Sequence, residues 1–155
     1  MRRKDKEITE RHLLEDVLRR SEICRLALFD EEYPYIVPLN FGYEDGKLFL
    51  HGATSGKKLD LIRRDPRVAF EVETDLQILT AENPCNWSMR YRSVVGRGTA
   101  TILETPEEKR HGLNAVITHY GKEPFPFSDA ALQAVAVIRV DIADMTGKES
   151  GFKQS

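Results

Sequence analysis

Cysteine is scarce in this chain. Cys24 and Cys85 are the only two among 155 residues. Neither belongs to a Cys-x-x-Cys pair or a Cys/His cluster, which argues against a zinc site or a disulfide framework and for reduced thiols in the cytoplasm. Long apolar runs are missing too: none approaches the ~18–20 residues that cross a bilayer. The charged opening, Met1-Arg-Arg-Lys-Asp-Lys-Glu7, leads into no apolar stretch and does not read as a signal peptide. An excess of either charge is absent, since 23 Lys and Arg stand against 25 Asp and Glu for a net −2. That balance argues against general nucleic-acid affinity through bulk charge. With no internal repeat and no low-complexity linker, residues 1–155 read as one domain.

What is present is a succession of short elements. Residues 1–8 form a loose charged arm, and Thr9 caps a helix whose Leu13, Leu14, Val17 and Leu18 share a face. Strands follow over Cys24–Phe29 and Tyr35–Tyr43, the second carrying Pro38, which cannot donate to a ladder and marks an edge or an irregularity. Asp45-Gly46 makes a tight hairpin into Leu48–His51. After Gly52–Lys58 a helix runs to Asp65-Pro66, and Arg67–Glu73 is a strand. Residues 74–89 read as irregular. Arg90–Leu103 is a long strand with Gly96 and Gly98 as bend positions. Thr105-Pro-Glu-Glu108 opens a helix that ends at Gly121, Pro124–Phe127 is a rigid aromatic loop, and Val135–Asp141 is the last strand before a polar tail over 146–155. About six short strands with tight hairpins predict antiparallel pairing, hence a mainly β, α+β, barrel-like domain.

The stretch with most chemistry is His51-Gly-Ala-Thr-Ser-Gly-Lys-Lys58, between a strand end and a helix start. Free backbone N–H groups, small residues, a hydroxyl and two amines make an anion site there, and a phosphate monoester is its natural ligand. The competing reading is a glycine turn with solvent-facing lysines. The spacing matches neither a Walker loop nor a dinucleotide fingerprint.

Several motifs in order carry a resemblance. They are Val37-Pro-Leu-Asn-Phe41, the Asp-Gly hairpin, Phe49-Leu-His-Gly-Ala-Thr-Ser-Gly-Lys-Lys58, Asp65-Pro-Arg-Val-Ala-Phe-Glu-Val72, Cys85-Asn-Trp87, Tyr91-Arg-Ser-Val-Val-Gly96 and Thr146-Gly-Lys-Glu-Ser150. Together they resemble the flavin-binding split barrels related to pyridoxamine 5′-phosphate oxidase, and most of all their nitroimidazole-resistance (5-nitroimidazole reductase) branch. The resemblance implies a homodimer of six-stranded antiparallel split β-barrels with flanking helices, and FMN at two interface sites.

On that likeness Ser55, Lys57 and Lys58 hold the FMN phosphate. Val37, Pro38, Leu39 and Asn40 run beside the ring, and His51, Gly52 and Ala53 lie under the ring or ribityl chain. His51 matches an active-site histidine of the branch, as a ligand contact or a proton donor; the structural alternative is a hydrogen-bonded histidine at a strand end. Trp87 and Tyr91 are either a core or interface anchor or a stacking pair near the flavin, supplied by a second subunit, and Arg92 and Ser93 add polar contacts. His111 and His119 read as surface or packing residues. The Arg- and Trp-rich C-terminal segment of the pyridoxal-phosphate-forming oxidases has no counterpart in Thr146–Ser155. The implied activity is therefore FMN-dependent reduction of a small acceptor, a nitro compound or a quinone, by NAD(P)H. The alternatives are a flavin carrier without turnover and a haem-binding or empty barrel.

Overall fold

A computed structural model describes residues 3–152. The elements in chain order are β1 (Glu7–Ile8), α1 (Arg11–Arg20), β2 (Cys24–Leu28), β3 (Tyr35–Leu39), β4 (Phe41–Glu44), β5 (Lys47–Gly52), α2 (Lys57–Arg64), β6 (Arg67–Leu79), β7 (Ser88–Ile102), α3 (Pro106–His119), α4 (Asp129–Gln133) and β8 (Ala136–Ser150). All pairings are antiparallel, in the order β3-β2-β6-β7-β8-β5-β4, with β1 added to β8. The two ends of that order, β3 and β4, are consecutive in the chain and separated only by Asn40. The sheet therefore has to curl until its ends meet, and the molecule is a split barrel. The expected single strand over Tyr35–Tyr43 is β3 and β4 broken at Asn40; with those two taken as one and the two-residue β1 set aside, the eight strands reduce to the expected six.

Local chemistry explains most boundaries. Asp45 and Gly46 both sit at positive φ (46° and 77°), as a two-residue hairpin turn of this hand requires. Thr105 caps α3 through the Glu108 N–H, and the Glu108 carboxylate reaches back to the Thr105 N–H, a complete capping box. Thr105→Ala is expected to cost about 1 kcal/mol, read from the urea midpoint. The Asn114 side chain bonds both the N–H and the carbonyl of Phe125, which pins the aromatic loop to α3.

The barrel interior is filled by alternate residues of the strands, with Leu14, Val17 and Leu18 of α1 and Leu59, Leu61 and Ile62 of α2 as plugs. A second, smaller core of Phe49, Leu103, Leu113, Val116, Leu132 and Val137 seats α3 and α4 on the outside of β5 and β8. No helix among the described residues is long and apolar enough to cross a membrane.

Four expectations need correction. The arm over residues 1–8 is not loose where it is described: Glu7 and Ile8 pair with Lys148 and Gly147, and Lys6 Nζ donates to Ser150 Oγ at 2.7 Å. The tail over 146–155 is not a tail as far as Ser150, because β8 continues to that residue against β7. Met1, Arg2 and residues 153–155 lie outside the described residues. Residues 74–79 are strand, interrupted by a bulge where Asp75 turns to φ 61°. Helix α1 starts from Glu10 instead of Thr9, and Leu13 faces solvent. The first three share a cause: these segments gain order by pairing with a neighbouring strand, which an apolar pattern does not record.

Candidate functional site

Strand β3 is bonded to β2 on one side and, among the described residues, to no strand on the other. That makes it the edge Pro38 needs, since a residue without an N–H costs little there. The loop after β5 runs along this open edge. At one end, continuing the β4–β5 register past Phe41–Leu50 sets Asn40 beside His51. At the other, Lys57 Nζ lies 5.5 Å from the Tyr35 ring centre and 2.6 Å from Asp30 Oδ2. The ends of the edge, Tyr35 and Asn40, are thus set against Lys57 and His51, with Val37–Leu39 on one side and Gly52–Ser55 on the other between them.

Within the loop the two lysines differ. Lys57 is exposed and already held by Asp30, which raises its pKa. Lys58 is half-buried, and burial pulls its amine below the ordinary lysine value, with no carboxylate contributing. Its Nζ packs so closely on Gly52 that a Cβ at residue 52 would stand 2.8 Å from it. Gly56 caps α2 at φ 126°, with nothing within 4 Å of where a side chain would begin. The first helical N–H groups satisfied within α2 are those of Leu59 and Asp60, both on the Gly56 carbonyl. The N–H groups of Lys57 and Lys58 are left pointing out of the helix end. Two backbone donors, an amine without a carboxylate and an unobstructed approach suit a phosphate.

His51 follows Phe49 on the face of β5 that carries the second core, and pairs across to Val137. Burial, then the charge of Lys58, lowers its pKa, so the imidazole is neutral at pH 7. Its Nδ1 is buried without a hydrogen-bond partner. An orphaned buried nitrogen beside an anion cradle is what a site completed by a ligand displays. The donor set therefore fits the phosphate and polar edge of a flavin mononucleotide.

Trp87, Tyr91, Arg92 and Ser93 are elsewhere. Gly52 pairs with Ala136 at the start of β8, whereas Ser93 pairs with Lys148 near its end. The 148 − 136 = 12 residues between correspond to roughly 40 Å of strand path at about 3.3 Å per residue. In one subunit the two groups therefore lie toward opposite ends of β8. Trp87 is not a core residue: it is 53% exposed, its indole N–H donating to the Ala81 carbonyl at 2.9 Å. Arg92 is engaged by Asp75 and Glu149, both at 3.1 Å, and stacks over Phe152 at 3.9 Å. Asp30 and Tyr35, which hold Lys57, carry no sequence signal beyond a turn and a strand start.

His111 pairs with Glu44 and His119 meets the Ser21 carbonyl, as surface and packing histidines do. Among the described residues no group of three or more His, Cys, Asp or Glu could hold a metal ion.

Similar proteins fit this geometry. A 2.20 Å structure from Bacteroides thetaiotaomicron, of a protein provisionally assigned to 5-nitroimidazole antibiotic resistance, is 34% identical, covering 92% of this chain and 85% of its own, with a TM-score of 0.82. A flavocytochrome from Azotobacter vinelandii shares the fold at 16% identity and a TM-score of 0.82, over 98% of this chain and 72% of its own. A FAD- and heme-binding protein from Mycobacterium smegmatis does so at 23% and 0.82, over 97% and 76%. An uncharacterised curated protein of Rhizobium meliloti is 26% identical over 65 residues, 42% of this chain, and the match spans 42% of that protein's length. The model of the pyridoxamine 5′-phosphate oxidase family matches residues 10–149. That match spans most of the chain, and the chain belongs to that family.

Proposed function

We propose that this protein is an FMN-dependent oxidoreductase that reduces a small acceptor, a nitro compound or a quinone, at the expense of NAD(P)H. The observation that carries the reading is the amine of Lys58, which packs on Gly52 without a carboxylate, beside the two free N–H groups of α2. The identity shared with the Bacteroides protein over most of both chains supports the choice of acceptor.

In this reading the N–H groups of Lys57 and Lys58 and the Lys58 amine hold the phosphate, and Ser55 adds a hydroxyl. Gly52 and Ala53 let the ribityl chain lie close to backbone. Polar backbone on the open edge of β3, over Val37–Asn40, orients the ring. Neutral His51 offers its unsatisfied Nδ1 to the ligand and does not carry a competing positive charge. Bound flavin supplies hydride and electron transfer; the protein supplies position and polarity. Each site is completed by a second copy, which brings Trp87 and Tyr91 from the far end of its own β7 and β8. The free thiols of Cys24 and Cys85 suit a reducing cytoplasm.

The absorption spectrum of the purified protein tests the cofactor. Flavin maxima are expected; a haem Soret band would turn the reading to the haem barrels. A colourless protein whose Tm does not rise with added FMN would leave the site without a flavin, since tight native-state binding must stabilise. Steady-state oxidation of NAD(P)H with nitro and quinone acceptors tests turnover, and a flavin-loaded protein inert to all of them is a carrier. Trp87→Ala is expected to leave the far-ultraviolet dichroism unchanged while shifting flavin fluorescence or weakening the dimer. No change in either makes Trp87 an ordinary surface residue.

A further inference from the structure

Continuing the β2–β3 register past Cys24 and Leu39 sets Ile23 against Asn40 and Glu22 against Phe41. The ladder does not close there. The Phe41 N–H donates to Tyr120 Oη at 3.2 Å, and the same hydroxyl donates to the Glu22 carbonyl at 2.6 Å. One side-chain oxygen thus fills the rung that a backbone hydrogen bond between Phe41 and Glu22 would otherwise close. It satisfies both groups while holding them farther apart than a single N–H···O bond of about 2.9 Å.

The hydroxyl is presented by the end of α3. Tyr120 closes that helix, its N–H bonded back to the carbonyls of Ile117 and Thr118, and Gly121 at φ 75° turns the chain away. His119 works beside it. Its Nε2 lies 2.8 Å from the Ser21 carbonyl, which can only accept, so that nitrogen carries the proton. The His119 ring also packs on Phe41 at 4.4 Å and on Tyr120 at 5.0 Å. Two adjacent side chains therefore take the carbonyls of Ser21 and Glu22, the residues through which β2 would extend.

At this rung the chain changes partner. Leu39 pairs with Cys24 of β2, whereas Phe41 pairs with Leu50 of β5. Asn40 lies between them, beside His51. How far Phe41 stands from β2 therefore sets how far Asn40 is carried toward His51 and the phosphate loop.

We propose that Tyr120 is a positioning residue for the flavin site, its hydroxyl a wedge that keeps the barrel split at Asn40. The inference rests on the flavin reading above and adds to it a residue from outside both the loop and the open edge. Without the hydroxyl, the Phe41 N–H and the Glu22 carbonyl close to one direct bond, which draws Asn40 toward β2 and away from His51. The backbone over Val37–Asn40 then meets the ring out of line, while the phosphate contacts of Lys58 stay as they are.

Tyr120→Phe keeps the ring and removes only the wedge. Thr105→Ala, which loosens the opposite end of α3, is the control. In Tyr120→Phe the Kd for FMN, followed by flavin fluorescence, should rise about five- to tenfold, the weight of roughly one hydrogen bond. The visible circular dichroism of the bound flavin should change with it. The Tm of the flavin-free protein should fall no further than in Thr105→Ala, which itself should keep wild-type affinity and dichroism. Wild-type affinity and dichroism in Tyr120→Phe would mean that a water replaces the hydroxyl, and would overturn the inference while leaving the flavin reading intact. An affinity loss shared equally by Thr105→Ala, or accompanied by a much larger fall in Tm, makes Tyr120 an ordinary structural residue and overturns it as well. A wild type that binds no FMN overturns the flavin reading, and the positioning role with it.

Discussion

Replacing Lys58 with alanine is expected to weaken FMN binding by about 1.5–3 kcal/mol, a factor of roughly ten to 150 in Kd. The amine stands over Gly52 with no carboxylate to neutralise it, and burial already disfavours its charge. A phosphate dianion is the partner that would restore that charge, so the whole interaction is lost with the side chain. Lys57→Ala is expected to cost much less, because its amine is held by Asp30 in the absence of any ligand. Titration of each variant with FMN, followed by flavin fluorescence, gives the two values. If Lys57 proves the costlier loss, the phosphate lies on the outer side of the loop, toward Tyr35, and the arrangement proposed for Gly52 and His51 falls with it.

Phe70→Ala is expected to be the most damaging single truncation in the barrel, at about 3–5 kcal/mol. Phe70 is 1% exposed and pairs with Gly96 across β6 and β7. Its ring lies where a side chain at residue 96 would be: a Cβ there would stand 2.3 Å from Phe70 Cζ. The ring therefore roofs the bare backbone of a neighbouring strand as well as filling the interior. Its loss opens a cavity and uncovers that backbone together. For a chain of this length the Tm should fall by about 6–20 °C, measured by calorimetry on the flavin-free protein. A fall of only a degree or two would mean that the interior closes over the gap and is less tightly packed than the burial of Phe41, Leu26 and Ile138 indicates.

The parts of the fold legible from sequence were those with local causes. The Asp45-Gly46 turn, the Thr105–Glu108 box, the alternation of Cys24, Leu26 and Leu28 and the burial of Leu59, Leu61 and Ile62 all arise from residues near one another in the chain. The parts that were not legible have distant causes. Residues 146–150 look like a tail because Thr146, Lys148 and Glu149 are polar, yet their backbone is bonded to β7 and to β1. Gly147 lets α1 settle onto that strand, since a Cβ there would stand 2.3 Å from Leu14 Cδ2.

The candidate site divides in the same way. The loop from His51 to Lys58 was legible as an anion cradle from residue types alone. Which lysine is free depended on Asp30, more than twenty residues upstream. The distance of Trp87 and Arg92 from that loop depended on the full length of β8.

The place of β8 in the sheet has a consequence for how the protein is made. It is the last described strand to be synthesised, yet it bonds to β7, β5 and β1 and lies inside the order instead of at its edge. Until it leaves the ribosome, the hairpin of β4 and β5 has no sheet to join, and β7 presents a long row of unsatisfied backbone groups. The β3-β2-β6-β7 sheet and the β4–β5 hairpin can pair on their own, but closure of the barrel must wait for β8 to insert between them. Folding of this barrel is governed by long-range contacts, and until β8 inserts the chain is open to strand pairing with its neighbours.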